Sequence, residues 1–581
     1  MTILSIHTGH NSTVGLLDQG KLVGLLSEEK INNIKNSAAF PKNAITALLD
    51  ECGIIPDQIE AIAIAGNEVF PSYCYDYLFH PKNKINRTSL HSVAKSLEKG
   101  ILGSVMPGLF KMARKNRKSD LLTEGRSELA EHLNQSSLSG KPVIHIDHHQ
   151  CHAYSAYYGL AQDDSPALVF TADGSGDQAC ATIWLARDKK LQRISRTPPS
   201  ASLGGIYTNT TRFLGMKILE HEYKVMGLAP YCKDYHKEIY DRIFAPVINL
   251  DPENPLVFKS SVDASSFYDY LVSCAVGERF DNIAGAVQHL LEERITAWVR
   301  AAIKQTGIRN IYTGGGVFMN VKLNKRIQEM DEVEHAHFLP SCGDESNPIG
   351  AAYALAIQQG SPVKPLDNLY MGISFKRSEL VKFIADERLD ARYAVSEPPD
   401  IEAAIADLLA QSEVVARFSG RCEWGARSLG NRAILAHPSH LESFYTVNDL
   451  IKSRDFWMPF APTVLDSHAD QYLENYNPSK VLAPHMITAF KATTLGVEHL
   501  RAAMHQGDHT IRPQVLTEEA NPEYYALLKA FHAKTGVGAV MNTSLNLHGY
   551  PLVANPKQAL MTLEKSGLMH LALGPFLISK K

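Results

Sequence analysis

The chain has 581 residues, more than one hydrophobic core usually holds, so two or more domains are expected. Hydrophobic residues make up 45% and charged residues 21%, as in ordinary globular proteins, and a net charge of −4 indicates neither a nucleic-acid nor a membrane partner. Eight scattered cysteines without a Cys-x-x-Cys pair favour reduced thiols and a cytoplasmic location. We see no signal peptide and no apolar run of about 18 residues that would span a membrane.

The first predicted elements form a hairpin. Residues 2–17 are predicted to form a strand, a small polar turn that contains His10, and a second strand, and residues 22–26 form a third strand.

Residues 82–118 form a basic segment, with ten Lys or Arg against a single acid, Glu98. We expect them to form a basic helical insertion in the first domain, and a solvated basic surface is the plainer interpretation.

Two histidines at helical spacing come next. If residues 148–160 are helical, His148 and His152 lie one turn apart on the same face. Two imidazoles on one face are suitable ligands for a divalent metal. The alternative is a helix with two partly buried, hydrogen-bonded histidines.

The hairpin pattern recurs at residues 167–185, where an apolar strand runs into the turn Asp-Gly-Ser-Gly-Asp at 173–177. Its glycines permit a tight turn and the close approach of a phosphate. Two such hairpins, each opening half of a domain, are typical of the actin and hexokinase type of ATP-binding fold. A third glycine turn at 314–316 lies where such folds hold the nucleoside.

The segment 358–365 is rich in glycine and proline, which interrupt helices and strands. It is the predicted boundary between a first domain at 1–360 and a second at 366–581. In the second domain, residues 420–432 contain three arginines and three glycines. Arginine side chains bind phosphate oxygens in pairs, so this loop predicts a phosphate site. Structural Arg–carboxylate pairs on a basic surface are the alternative.

Eight sequence blocks, in order along nearly the whole chain, resemble those of the NodU/CmcH family of O-carbamoyltransferases. They are HHxxHAxSA at 148–156, DGxG at 173–176, KVMGLA at 224–229, GGVxxN at 315–320, RxLGxR at 427–432, PFAP at 459–462, RPQ at 512–514 and NTSxN at 542–546.

The resemblance implies an α/β enzyme with two sites. The first domain resembles the threonylcarbamoyl-transferase branch of the actin-like fold, and the second resembles the YrdC fold. The second would make carbamoyl adenylate from carbamoyl phosphate and ATP with Mg²⁺. The first would then transfer the carbamoyl group to a hydroxyl of a small natural-product or sugar acceptor, in antibiotic or secondary-metabolite biosynthesis. It would hold one divalent metal, for which the resemblance implies iron(II), although zinc and manganese also suit nitrogen and carboxylate ligands.

The resemblance also implies roles for single residues. The metal ligands are His148, His152, Asp173 and Asp344. The catalytic residues are His10, Lys452 and Arg512. The residues that bind carbamoyl phosphate are Arg427, Lys452, Arg512, Asn542 and Ser544. The residues that bind the nucleotide are Gly174, Gly176, Gly314, Gly315, Gly316, Asn320 and Arg432.

The chain departs from the family pattern at Asn11, Ser346, Met458 and Tyr550, which stand where an acid, a glycine, an arginine and a glutamate are usual. These departures bear on substrate affinity and acceptor identity more than on reaction class. Two other functions stay open: a tRNA-modifying threonylcarbamoyl enzyme and, outside enzymes, an actin-like nucleotide-dependent scaffold. A hydrogenase-maturation carbamoyltransferase is disfavoured, because it would carry Cys-x-x-Cys zinc motifs.

Overall fold

The computed structural model describes residues 1–79 and 107–581. The expected basic insertion at 82–118 therefore lies mostly outside the described residues. At its end the chain is helical from Pro107 to Asn134, and Lys118 Nζ lies 2.7 Å from Glu68 Oε1.

The first sheet follows from the predicted N-terminal hairpin. Its strands are β1 (Thr2–His7), β2 (Thr13–Asp18), β3 (Lys21–Ser27), β4 (Ala61–Ala65) and β5 (Val143–Ile146). They lie in the order β3-β2-β1-β4-β5, with β1, β2 and β3 antiparallel and β4 and β5 parallel to β1. All six residues of β1 are buried, which explains its almost continuous apolar sequence.

The second sheet repeats this arrangement. Its strands are β6 (Ala167–Gly176), β7 (Ala179–Arg187), β8 (Lys190–Thr197), β11 (Asn310–Gly314) and β12 (His335–Phe338). Their order is β12-β11-β6-β7-β8, again three antiparallel strands followed by two parallel ones. The small strands β9 (Ile248–Leu250) and β10 (Phe258–Ser260) pair separately. The duplication that the two hairpins predict is therefore present, as in the actin and hexokinase type of fold.

Helices pack on both sheets of this N-terminal region. They are α1 (Glu28–Asn32), α2 (Lys42–Cys52), α3 (Ser72–Phe79), α4 (Pro107–Asn134), α5 (His148–Leu160), α6 (Leu203–Phe213), α7 (Glu222–Leu228), α8 (Lys237–Ile239), α9 (Phe267–Cys274), α10 (Phe280–Thr306), α11 (Val321–Gln328) and α12 (Asn347–Gln358). Helix α5 packs against α12 and also contacts β6 and β11 of the second sheet. The loops at the ends of β1 and β6 and the start of α12 thereby meet at one place.

The C-terminal region is built on one mixed sheet of eight strands. They are β13 (Tyr393–Ser396), β14 (Val415–Phe418), β15 (Arg432–Ala436), β16 (Ala461–Leu465), β19 (Gln514–Leu516), β20 (Ala539–Ser544), β21 (His570–Leu573) and β22 (Phe576–Lys580). The order is β13-β22-β21-β14-β15-β20-β16-β19, and β17 (Phe490–Lys491) pairs with β18 (Thr510–Ile511) outside it. The helices are α13 (Arg377–Asp386), α14 (Leu389–Arg392), α15 (Ile401–Ala410), α16 (Leu441–Val447), α17 (Ala469–Tyr472), α18 (Thr494–His499), α19 (Pro522–Thr535) and α20 (Pro556–Glu564). The likeness of this C-terminal region to the YrdC fold stays a prediction.

The two regions share hydrophobic packing. Helix α12 ends at Gln358, near the expected boundary, and the connection that follows buries Leu369 and Met371. These two side chains lie in one apolar cluster with Ile3 of β1 and Trp424 of the C-terminal region. Within 1–79 and 107–581, no helix has the length and apolar character that a membrane crossing needs. Among the described residues, no two cysteines are joined by a disulfide.

Candidate active site

Four side chains with metal-ligating atoms meet between the two N-terminal sheets. His148 and His152 lie on one face of α5, Asp173 lies near the end of β6, and Asp344 lies just before α12. One ligand atom from each lies within 4.8 Å of the other three. His148 Nε2 is 3.2 Å from His152 Nε2 and 3.5 Å from Asp344 Oδ1, and His152 Nε2 is 3.0 Å from Asp173 Oδ2 and 3.4 Å from Asp344 Oδ1.

These distances suit a shared ion. Ligand atoms that each lie about 2.0–2.2 Å from one ion are about 3.0–3.5 Å from one another in tetrahedral or octahedral geometry. Two neutral imidazoles and two carboxylates also match the donor set of zinc, iron(II) or manganese. The four residues therefore fit a divalent metal, which the structure does not contain.

The charge balance of the cluster favours a cation at its centre. Burial lowers the pKa of His148, but the carboxylates of Asp344 and Asp173 outweigh burial and raise the pKa to about 9. Burial and Asp173 raise the pKa of Asp344, but the neighbouring imidazoles of His148, His10 and His152 bring it below its usual range. Two buried carboxylates side by side need a positive charge between them, and a divalent ion supplies one.

The start of α5 is fixed by carboxylates that do not face the cluster. Asp147 caps the helix by accepting a hydrogen bond from the Gln150 backbone N–H. Asp177 accepts from the His148 backbone N–H at 2.7 Å and from the backbone N–H groups of the 67–68 loop. Gly176 lies under the His148 ring, where a Cβ would come within 2.2 Å of a ring carbon. The ring of His148 is thereby held in place from two sides.

Two more histidines lie beyond the outer oxygen of Asp344. His10 Nδ1 is 3.4 Å from Asp344 Oδ2, and His7 Nε2 is 3.9 Å from the same oxygen. His7 is buried, neither of its ring nitrogens has a hydrogen-bond partner within residues 1–79 and 107–581, and burial lowers its pKa to about 4. Asp344 therefore presents one oxygen to the metal-ligand cluster and the other to a histidine pair.

A cavity of about 440 Å³ joins this cluster to the C-terminal region. Asp173, Asp344 and His10 line one side, and Arg427 and Arg512 line the other. Gly174, Gly316 and Asn320, three of the expected nucleotide-binding residues, also line it. Residues predicted for two separate reactions thus line a single cavity.

The C-terminal side of the cavity carries three arginines, Arg427, Arg454 and Arg512. Among the described residues, none of their guanidinium groups has a carboxylate within 4.0 Å or a hydrogen bond to the protein, and Arg427 Nε is buried without a partner. Burial and the neighbouring Arg427 and Arg454 lower the pKa of Arg512. Three partly buried cations without protein anions form a site prepared for an anionic ligand.

Lys452 lies behind this site and does not line the cavity. It is 1% exposed, and its ammonium group donates to the Asn546 carbonyl oxygen at 3.0 Å and to the side chain and carbonyl oxygen of Ser544. Lys452 therefore fixes the 544–546 turn, whose Ser544 and Asn546 do line the cavity.

Polar atoms without partners continue along the same wall. Asn542 donates from Nδ2 to Thr463 Oγ1 at 3.0 Å and to the Ser428 carbonyl oxygen at 3.3 Å. In the part of the chain that the structure describes, neither its buried Oδ1 nor the buried Oγ of Ser428 has a hydrogen-bond partner. The loop 420–432, which contains Ser428, is shaped by the buried carboxylate of Glu423. This carboxylate accepts hydrogen bonds from the backbone N–H groups of residues 429, 431 and 432 at 2.8–3.0 Å.

The structure places other predicted residues outside the cavity. Arg432, expected to bind nucleotide, is fully buried, donates to carbonyl oxygens including those of Ser419 and Gly420, and stacks on Phe418 with 3.7 Å from its guanidinium carbon to the ring centroid. This placement makes Arg432 a support of the loop 420–432 and does not fit the predicted contact with a nucleotide. The same holds for Gly176, Gly314 and Gly315, which pack against backbone and ring atoms beneath the cavity wall.

Sequence reasoning did not assign His7, Arg454 or Glu423 to the site. The positive charge of Arg454, two residues after Lys452, could have indicated a phosphate-binding role. His7 and Glu423 gave no such indication, because a histidine at a strand end and a glutamate in a loop have no distinctive spacing.

The departures from the family pattern have definite places. Asn11 lines the cavity beside His10 in a left-handed conformation, φ 59°. Ser346 is buried, and its hydroxyl lies 3.5 Å from His152 Nδ1. Met458 and Tyr550 line the cavity. Asn11, Met458 and Tyr550 therefore touch the space where substrates would lie, whereas Ser346 lies beneath it against the His152 ring.

Comparison with known proteins decides the family. The family described as Carbamoyltransferase N-terminus matches residues 2–353, and the one described as Carbamoyltransferase C-terminus matches residues 406–580. The chain belongs to the carbamoyltransferase family. It is an enzyme of the NodU/CmcH type, as the eight sequence blocks predict.

Named relatives cover the chain to different extents. The Sinorhizobium fredii nodulation protein NolNO is 26% identical over 98% of this chain and 79% of its own length. An uncharacterised protein of Synechocystis is 27% identical over 98% of this chain and 95% of its own length. The 3'-hydroxymethylcephem-O-carbamoyltransferase of Streptomyces clavuligerus is 31% identical over 41% of this chain and 43% of its own length.

Proposed function

We propose that this carbamoyltransferase works in two steps at opposite sides of one cavity. It activates carbamoyl phosphate with ATP at the C-terminal side and transfers the carbamoyl group to an acceptor hydroxyl at the metal-ligand side. The observation that carries the proposal is a set of three guanidinium groups, unpaired among the described residues, that lie across a cavity of about 440 Å³ from Asp173 and Asp344 of the metal-ligand cluster.

In the first step the donor is carbamoyl phosphate, and ATP enters as its Mg²⁺ complex. Water releases inorganic phosphate from carbamoyl phosphate and leaves carbamate. A carbamate oxygen then attacks the α-phosphorus of ATP, so that pyrophosphate leaves and carbamoyl adenylate forms. Arg427, Arg454 and Arg512 bind the phosphate groups through charge-assisted hydrogen bonds. The free Oδ1 of Asn542 accepts a hydrogen bond from the carbamoyl amino group.

In the second step an acceptor oxygen attacks the carbamoyl carbon, AMP leaves, and the hydroxyl proton passes to a base. His10 is the proposed base, because it lines the cavity and Asp344 Oδ2 lies 3.4 Å from its Nδ1. His148, His152, Asp173 and Asp344 would hold the divalent metal, for which iron(II) is our first expectation. A bound metal would supply Lewis acidity, which stabilises the negative charge that develops on the carbonyl oxygen.

The remaining predicted contacts follow the same layout. Gly174, Gly316 and Asn320 would lie against the nucleotide part of carbamoyl adenylate, since they line the cavity next to Asp173. The acceptor is proposed to be a small natural product or sugar. This class is supported by the Streptomyces relative, whose name gives a 3'-hydroxymethylcephem as its carbamoyl acceptor. A cytoplasmic location is part of the same proposal.

The fate of ATP tests the activation step. The protein is incubated with carbamoyl phosphate and ATP, without an acceptor, and the nucleotide and phosphate products are quantified. We expect pyrophosphate and inorganic phosphate in equal amounts and no ADP. ADP formation that requires carbamoyl phosphate would point to a kinase-like reaction and contradict the proposal.

A further inference from the structure

Helix α7, which carries the KVMGLA block, has no part in the chemistry described so far. It belongs to the N-terminal region, yet it lies against the C-terminal loop 453–460. Lys224 Nζ is 3.0 Å from Asp455 Oδ2, and the Lys224 carbonyl oxygen accepts a hydrogen bond from Trp457 Nε1 at 3.2 Å. Both ends of Lys224 thus contact the same loop.

The rest of α7 fits closely against that loop. Met458 packs on Gly227, where a Cβ would lie 3.2 Å from the sulfur atom and 3.3 Å from the Trp457 carbonyl oxygen. The Gly227 carbonyl oxygen also accepts a hydrogen bond from His505 Nε2 at 2.7 Å. Met458 stands where the family pattern has arginine, and in this chain its side chain packs closely against α7.

Loop 453–460 begins directly after Lys452 and carries Arg454 into the cavity. The backbone of Arg454 exchanges hydrogen bonds with the Asn448 side chain at 3.3 Å and 3.2 Å, and its guanidinium carbon lies 5.5 Å from the centroid of the Phe460 ring. Its neighbour Asp455 is paired with Lys224. The position of the Arg454 side chain therefore depends on where Asp455 is anchored as well as on its contact with Phe460.

We infer that Lys224 of the N-terminal region is a positioning residue for the donor site of the C-terminal region. It holds Asp455, and through Asp455 it fixes Arg454 against the phosphate-bearing substrate. Lys224 does not line the cavity, so it acts without touching the substrate. The inference rests on the proposed function, because it assigns carbamoyl phosphate to the site of Arg454.

The test measures the dissociation constant for carbamoyl phosphate by calorimetry, with the full-length protein. Lys224→Met and Asp455→Asn should each weaken binding roughly tenfold, and the double variant should be no weaker than either single variant, because all three break one contact. Lys224→Arg keeps the charge and should bind almost as the unchanged protein does. Lys189→Met, which breaks an exposed pair with Asp164 at 3.1 Å, is the matched control and should have no effect.

Metal content is measured on the same variants and should stay unchanged, since none of the four metal ligands takes part in the contact. Thermal unfolding is measured to establish that each variant is folded at the temperature of the titration. Unaltered affinity in Lys224→Met, or losses that add in the double variant, would overturn the inference. Normal binding without pyrophosphate release in the unchanged protein would instead overturn only the proposed function. Failure of the unchanged protein to bind carbamoyl phosphate would overturn both.

Discussion

Arg512 offers the sharpest prediction, because its replacement should weaken the binding of carbamoyl phosphate without lowering the thermal stability of the protein. The Arg512 guanidinium has no carboxylate or hydrogen-bond acceptor among the described residues, so replacing it breaks no ion pair or hydrogen bond within them. Burial, Arg427 and Arg454 together lower its pKa, which means that its positive charge is disfavoured before substrate binds. Arg512→Met should therefore leave the melting temperature unchanged or raise it.

Substrate binding should respond in the other direction. Arg512→Met removes one or two charge-assisted hydrogen bonds to carbamoyl phosphate, a loss on the order of 2–4 kcal/mol, or a dissociation constant about 30- to 700-fold higher. Calorimetric titration and thermal unfolding measure the two effects on one sample. Arg377→Met, which breaks a surface pair with Glu397, is the control. A melting temperature that falls while affinity changes less than about threefold would refute the reasoning.

Three further predictions concern metal, loop and interface. His148→Ala combined with His152→Ala should abolish divalent metal binding, measured by elemental analysis, while carbamoyl phosphate still drives pyrophosphate release; a double variant that keeps its metal would contradict the assignment. Glu423→Gln should lower the free energy of unfolding by about 2–3 kcal/mol, because three buried N–H groups lose a charged acceptor; urea unfolding measures this, and an unchanged midpoint would count against it. Asp508→Asn should cost about 2 kcal/mol, because it strands Lys322, which is 12% exposed. His505 and Lys322 outweigh burial and hold the pKa of Asp508 below its usual range. The stabilisation by Asp508 is therefore complete above about pH 4 and is lost as the pH falls further. If Asp508→Asn lost stability in acid as steeply as the unchanged protein, this reasoning would be wrong.

The parts of the fold that local sequence determines were predicted correctly. The hairpin turn around His10 and the strands that flank it depend on alternating apolar residues and short polar turns, which neighbouring residues settle. The pairing of His148 with His152 needs only helical spacing. Both features are visible within about ten residues of sequence.

Long-range contacts could not be predicted in this way. Asp344 entered the expected ligand set only through the family resemblance, because no spacing rule joins it to α5. For Arg432 and Lys452, residue type indicated phosphate chemistry, but side-chain direction depends on tertiary packing, and both turn inward to carbonyl oxygens. The contact between Lys224 and Asp455 depends on how two regions dock, which a single sequence does not reveal.

The central claim is that one cavity joins carbamoyl activation to carbamoyl transfer through an adenylate. The most direct measurement is mass spectrometry of a quenched reaction that contains isotopically labelled carbamoyl phosphate and ATP but no acceptor. The account predicts a product that carries both the labelled carbamoyl group and AMP. Recovery of all label as carbamoyl phosphate or its hydrolysis products, with no labelled nucleotide at any time point, would contradict it.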